Sequence, residues 1–279
     1  RFDNVLYRME SKVDEIIQCV AGTQHRSDIL RTIFEGTRDF RAISDELDIP
    51  RATLRHNLGK LIDTDLVEST VGNEYRVTPL GEATLSGLAV FREPLDVATR
   101  LNPFLSRIDY DEFDVPLSAL KNGKLTESTR ANPFAPSRRV EDVLRSQPVA
   151  TCHLPIFPSS LGSDGQATVP FNGVHIAAPP DVLSGLADRN ESAFTDLIER
   201  NRVFQTANSN QASLGLLLTD TEAIALVLDE NQKPHALAEN NSELFCEWVD
   251  DKLEKIFSDA SHIDDPESVV TETQQYQTN

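Results

Sequence analysis

Residues 51–62, RATLRHNLGKLI, carry three formal positive charges, Arg51, Arg55 and Lys60, and no acid. The whole chain carries a net charge of −19, from 45 acidic and 26 basic residues. A local reversal of sign of this kind suits contact with phosphate. Arginine, asparagine and histidine can also read base edges in a groove. The segment supplies His56 and Asn57 beside its cations, with Thr53 nearly one turn earlier. Leu54, Leu58 and Leu61 recur at i, i+4 and i+7, the spacing of a helix with one buried face. That places Thr53, His56 and Lys60 on the opposite side, with Arg51, Arg55 and Asn57 on its flanks.

The elements around this helix have to hold it out for contact. Residues 41–48 form a shorter amphipathic helix, with Ile43 and Leu47 on one face and Ile49 closing the turn. Pro50 suits the start of the second helix, where its missing N–H costs nothing. Leu66-Val67 ends the helical pair. Residues 68–71 and 75–78 read as two strands around Gly72-Asn73, a hairpin turn. This places Asn73 at the tip and Tyr75 and Arg76 on the returning strand. A helix pair followed by a β-ribbon is the order of a recognition helix with a wing beside it. The bland alternative is a helical hairpin and an ordinary turn with no nucleic-acid role.

The stretches ISDELDIPRATLRHNLGKL, DLVE and YRVTPLGEAT together resemble the winged helix-turn-helix domain of archaeal transcription regulators. The resemblance implies binding to double-stranded promoter DNA. The residues expected to carry it are Arg51, Thr53, Arg55, His56, Asn57 and Lys60 on the helix, and Asn73, Tyr75 and Arg76 on the wing. It does not imply a target sequence.

A chain of 279 residues can bury a sizeable core and predicts about two domains. Residues 1–90 hold 11 basic and 15 acidic residues, and the remainder 15 and 30, so the acid excess lies mainly outside the candidate DNA-binding segment. Arginine outnumbers lysine, and acids are spread through every segment. This resembles proteins of salt-loving archaea, whose acidic surfaces stay soluble in concentrated salt; the bland alternative is an ordinary acidic bacterial protein. Cys19, Cys152 and Cys246 are far apart with no CxxC, so reduced thiols are the default. No apolar run nears the length of a membrane span and no signal-peptide pattern is present. The expectation is a soluble cytoplasmic protein with no membrane contact. The chain opens on Arg1, which leaves a trimmed N-terminal segment open.

The expected architecture is α+β. It comprises an N-terminal helix (1–25), a winged helix-turn-helix (26–78), a helical connector (79–110), an α/β domain with a mixed sheet (111–260) and a disordered acidic tail (261–279). Ser27 is expected to cap the helix carrying Ile29, Leu30 and Ile33, and the connector to be interrupted near Pro94. Apolar residues of segments 5–20 and 79–105 exceed what short helices need, which fits either a homodimer seam or packing between domains. In the second half, strands are expected at 124–129, 149–153, 173–178 and 202–207, with a hairpin of 214–218 and 223–228. Helices are expected after Pro136, Pro180 and Phe194 and over residues 242–257, and a long loop over residues 154–172.

Asn132-Pro-Phe-Ala-Pro136, the 214–228 hairpin, Asp229-Glu-Asn231 and the final helix, in that order, resemble the effector domain of archaeal regulators of the methanogenesis-regulator type. The resemblance implies sensing of a small ligand. Asn132 at a helix start, with Arg138 and Arg139 in the first turn, is a candidate site for a small anionic metabolite. Phe134 would cover an apolar part, and Cys152 and His153 would line the far wall. The bland reading is a surface helix with solvated arginines. Cys152-His153 supplies only two of the three or four ligands a metal needs, so no metal or other cofactor is assigned. Cys152 is otherwise a redox thiol or a buried structural cysteine.

Two other classes compete. A phospholipase D-like or other α/β hydrolase would need a histidine followed two residues later by lysine. None of His25, His56, His153, His175, His235 or His262 has one, and P-loop, GxSxG and HExxH motifs are absent. No catalytic residue is therefore assigned. A protein–protein interaction module would use the same winged helix without the need for a basic face.

Overall fold

The computed structural model describes residues 2–36, 38–72, 74–109, 113–146, 149–157, 172–207 and 214–265, with the backbone alone at residues 2–11 and 150. The chain is α+β and divides into two compact units between Glu93 and Pro94.

The first unit contains α1 (Phe2–Ala21), α2 (Gln24–Glu35), α3 (Phe40–Glu46) and α4 (Arg51–Asp63), then a ribbon of β1 (Val67–Ser69) and β2 (Tyr75–Val77). Its core gathers Val20, Ile29, Leu30, Ile33, Ile43 and Ile49 with Leu54, Leu58, Leu61, Leu66, Val67 and Val77. Asp39 caps α3, its Oδ1 accepting from the backbone N–H of Arg41 and Ala42 at 2.8 and 3.1 Å. The turn into α4 passes through Asp48 at φ 48°, and buried Ser44 donates its hydroxyl to the Ile49 carbonyl at 2.8 Å. That bond fixes the angle at which α4 leaves α3. β1 and β2 pair antiparallel, with Val67 opposite Val77 and Glu68 opposite Arg76. The Thr78 hydroxyl donates to Asp65 and accepts from the N–H of Gly81, which starts α5 (Pro79–Leu105). A methyl at Gly81 would lie 2.2 Å from the Leu66 carbonyl, so this contact requires glycine.

The second unit is an eight-stranded sheet in the order β10-β6-β5-β4-β7-β8-β9-β3. Its strands are β3 (Lys124–Glu127), β4 (Val149–His153), β5 (His175–Ala178), β6 (Arg202–Gln205), β7 (Leu214–Thr219), β8 (Ala223–Leu228), β9 (Pro234–Asn240) and β10 (Ser261–Ile263). β5 runs parallel to β4 and β6, and the other pairs are antiparallel. Both faces are covered, which is why β8 is buried at every residue. One face packs against α6 (Ala135–Ser146), α7 (Pro180–Arg189) and α8 (Glu191–Arg200), through residues such as Val143, Leu183 and Leu197. The other packs against α9 (Glu243–Ser258) and the end of α5, where Phe104, Phe113 and Trp248 meet edge to face.

Several expectations are corrected. Helix α2 starts at Gln24 after Thr23; Ser27 lies inside it, buried, its hydroxyl donating to the Gln24 carbonyl. Helix α5 runs through Pro94 without interruption. The bond lost is to the residue four earlier, Val90, which is 75% exposed, where water can replace the donor. Residues 261–263 belong to β10, pairing antiparallel with β6, because Ile263 is buried in the sheet core; of the expected tail, residues 266–279 lie outside the described residues. β9, absent from the sequence reading, has the sequence PHALAEN with no β-branched residue; its place between β8 and β3 overrides propensity. Of the expected 154–172 loop, residues 158–171 lie outside the described residues.

Candidate functional site

The leucines of α4 set its orientation. Leu54 and Leu61 are fully enclosed and Leu58 nearly so, each contributing roughly 1.5–3 kcal/mol by burial. With that face inward, the helical repeat turns Ala52, His56 and Gly59 outward, with Arg51 and Arg55 along one flank and Lys60 along the other. Arg51, Arg55, His56 and Lys60 are all exposed, and Thr53 is half-buried at the edge. The Arg55 guanidinium lies 5.9 Å over the ring of Phe40. This holds its stem against α3 while the head stays in solvent. Neither Arg51 nor Lys60 has a side-chain partner among the described residues. Pro50, as N-cap, offers no side-chain acceptor, so the positive end of α4 is left open to an anion.

Two groups of residues here were not singled out from the sequence. Ala52 and Gly59 keep the centre of the outward face low; a methyl at Gly59 would meet nothing within 4 Å, so packing does not call for glycine there. Arg38 and Arg41 are exposed at the start of α3, beside the Phe40 that Arg55 covers. The periodicity of α4 carries the first signal. The second is masked in sequence by Asp39, whose carboxylate is used as a cap.

Four expected contacts are corrected or fall outside. Asn57 is buried at 4% exposure: its amide oxygen accepts from Arg26 Nε at 3.1 Å and its Nδ2 donates to the Thr53 carbonyl at 3.0 Å. It joins α4 to α2 and does not face a groove. Arg76 is exposed but paired with Glu68 across the ribbon, Nε donating at 2.7 Å, so its charge is offset. Tyr75 is half-buried against the core, and Asn73 lies outside the described residues.

In the second unit the expected anion site is taken apart. Helix α6 begins at Ala135, and the backbone N–H of Asn132 donates to Thr129, so Asn132 closes a turn and does not cap a helix. Arg138 is exposed. Arg139 instead reaches β9: its Nε lies 3.0 Å from both oxygens of Glu239, which is 3% exposed, and its Nη2 3.7 Å from Glu222. A carboxylate this enclosed requires a paired cation, and the bond to Glu239 in turn raises the Arg139 pKa. Arg139 is therefore committed. Cys152 and His153 are fully enclosed on opposite faces of β4 and line no open wall. Burial pushes the Cys152 thiol up and the His153 imidazole down to about 4, against a hydrogen bond of 2.8 Å between His153 Nδ1 and the Leu214 carbonyl. Phe134, 59% exposed, lines a cavity of about 490 Å³ between α6, α7 and the β8–β9 turn. Among the described residues no three His, Cys, Asp or Glu side chains converge as metal ligands, and no helix is long and apolar enough to cross a membrane.

Residues 14–100 match the family model of the HVO_A0261 N-terminal domain, a span that includes α4 and the ribbon. No curated protein matches the chain. Among solved structures the chain is similar to TrmBL2, an archaeal chromatin protein, at 12% identity and a TM-score of 0.37, covering 89% of this chain and 98% of that one. It is also similar to N,N-8-amino-8-demethyl-D-riboflavin dimethyltransferase (RosA) from Streptomyces davawensis, at 12% identity and a TM-score of 0.25, covering 73% and 66%. A third similarity, to HmgR from Pseudomonas aeruginosa, has 16% identity and a TM-score of 0.23, covering 85% and 96%. Overlays this loose carry no argument about activity.

Proposed function

We propose that this chain is a DNA-binding transcription regulator acting in the cytoplasm. In this reading the winged helix-turn-helix of residues 26–78 binds promoter DNA and the sheet domain of residues 111–260 senses a small ligand. The observation that carries the first half is the outward face of α4. Arg51, Arg55, His56 and Lys60 are exposed on a helix with no acid from residue 51 to residue 62, around a low centre at Ala52 and Gly59. A helix of that profile can enter a major groove, with cations meeting phosphates along its flanks. The second half rests on the order of motifs that resembles methanogenesis-regulator-type effector domains, and on the open cavity of that unit.

Two copies are expected to act together, since winged-helix regulators commonly read paired half-sites. The test is fluorescence anisotropy against promoter duplexes recovered by genome-wide mapping of bound sites. The R51A/R55A/K60A variant should keep its fold and lose specific binding, each base-reading pair being worth about 1–3 kcal/mol. Binding equal to the unsubstituted chain at the same salt would refute the assignment of α4.

A further inference from the structure

The cavity of about 490 Å³ lies at the edge of the sheet where β4, β5 and β8 end and β9 begins. The carboxyl ends of parallel strands are where open sheets commonly bind ligands, and this volume is that of a small-molecule site. Its walls are apolar, from Phe134, Ile156, Phe157, Val182 and Pro234.

The charged groups at its mouth are not equivalent. Asp229 is consumed by its own turn, its Oδ1 accepting from the backbone N–H of Asn231 and Lys233 at 2.8 and 2.9 Å. Asp181 sits in the first turn of α7, where the helix end stabilises a negative charge. The two cations are used in part, Arg189 in the last turn of the same helix and Lys233 through its charge on Asp229, but each keeps donors with no short contact among the described residues. Arg189 is anchored by Nε to the Gly185 carbonyl at 2.8 Å, and its terminal nitrogens have no partner among the described residues. Lys233 has no side-chain hydrogen bond or ion pair among the described residues. The mouth is formally neutral, two carboxylates against two cations, and the donors of the cations are what stands over the apolar chamber.

Gly185 adds an independent observation. It lies in the middle of α7, where glycine costs up to about 1 kcal/mol relative to alanine. Neither a left-handed backbone nor close packing asks for it: a methyl there would meet nothing within 4 Å. What glycine provides at this position is open space in the cavity wall.

We propose that this cavity binds a small carboxylate with an aromatic or branched apolar body. The body lies against Phe134, Phe157 and Val182, and the carboxylate is held by Arg189 and Lys233. The inference rests on the sensing half of the proposed function and relocates the anion site from the start of α6 to the far end of α7.

The test uses the full chain with 3-phenylpropanoate as probe and 3-phenylpropanamide as its neutral counterpart, followed by calorimetry or ligand-observed NMR without DNA. The carboxylate should bind at least about tenfold more tightly than the amide. The R189Q/K233Q variant should lose that preference while still binding the amide. Gly185→Leu, whose Cβ would meet nothing within 4 Å and whose helix propensity is higher, should melt no lower than the unsubstituted chain and bind neither probe. The proposal is overturned by equal binding of acid and amide, by unchanged binding in Gly185→Leu, or by no binding at millimolar concentration. A parallel measurement of DNA affinity separates the two readings: failure of the probes with DNA binding intact removes this site alone, and probe binding without DNA affinity removes the regulator reading alone.

Discussion

Asn57 and Arg51 both flank the leucine face of α4, on opposite sides of it, yet only the structure separates their roles. Asn57 binds Arg26, which lies 31 positions earlier, and no local pattern exposes a partner at that distance. The two residues therefore predict opposite phenotypes. Asn57→Ala leaves the Arg26 Nε unpaired and should cost about 1–3 kcal/mol in chemical denaturation, with DNA affinity of the folded protein unchanged. Arg51→Ala should leave stability unchanged and weaken DNA binding. The reverse pattern would return Asn57 to the interface. His153 gives a pH prediction of its own. Its imidazole titrates near 4 in the fold, against 6.5 when exposed. The unfolded chain thus takes up the proton first as pH falls. The stability at stake is fully present above 6.5, is lost progressively down to about 4, and totals about 3 kcal/mol. His153→Gln should flatten the denaturation profile across that window by this amount. Parallel profiles for the two proteins would mean that His153 is not held neutral.

At the scale of elements, helices with strong apolar periodicity were legible: α4, α6 and α9 fall where Leu54/Leu58/Leu61, Val140/Val143/Leu144 and Phe245/Trp248/Val249 place them. Elements held by pairing alone were not. β10 pairs with β6, far away in sequence, and β9 with distant β3 as well as with adjacent β8; the Arg139–Glu239 pair, 100 positions apart, was hidden with them. That is why the expected anion site failed while the expected recognition helix kept its exposed cations. Glycine shows the same division between what an element needs and what its surface does. Gly81→Ala drives a methyl into the Leu66 carbonyl and should destabilise the first unit by about 1–3 kcal/mol. Gly59→Ala meets nothing and should stabilise α4 by up to about 1 kcal/mol. Gly59→Phe should fold as well as the unsubstituted chain and lose DNA affinity, because its bulk stands at the centre of the outward face. Thermal melts beside anisotropy decide the point; full affinity in Gly59→Phe would show that this face does not approach a groove.

For the whole molecule, a charge of −19 works against any polyanion, so binding has to come from the few cations of α4 and from repetition. Repetition is the argument for two copies. Val13 and Ile17 on α1, and Val90 and Phe91 on α5, are 55%, 55%, 75% and 64% exposed within the first unit. Apolar surface of this kind is commonly covered by a partner, and light scattering should give about twice the 31.0 kDa chain mass. Salt dependence offers a count that does not rely on mass. Each phosphate contact adds about −0.9 to the slope of log affinity against log salt on duplex DNA. Lys60 has no side-chain partner among the described residues, so replacing it with alanine removes that contribution once for every α4 engaged. The slope should become shallower by about 0.9 if one chain binds and by about 1.8 if two chains bind as a pair. A change near the larger value, measured over moderate salt where repulsion by the acidic unit is already screened, would place two recognition helices on one duplex. An unchanged slope would remove Lys60 from the phosphate contacts whatever the oligomeric state.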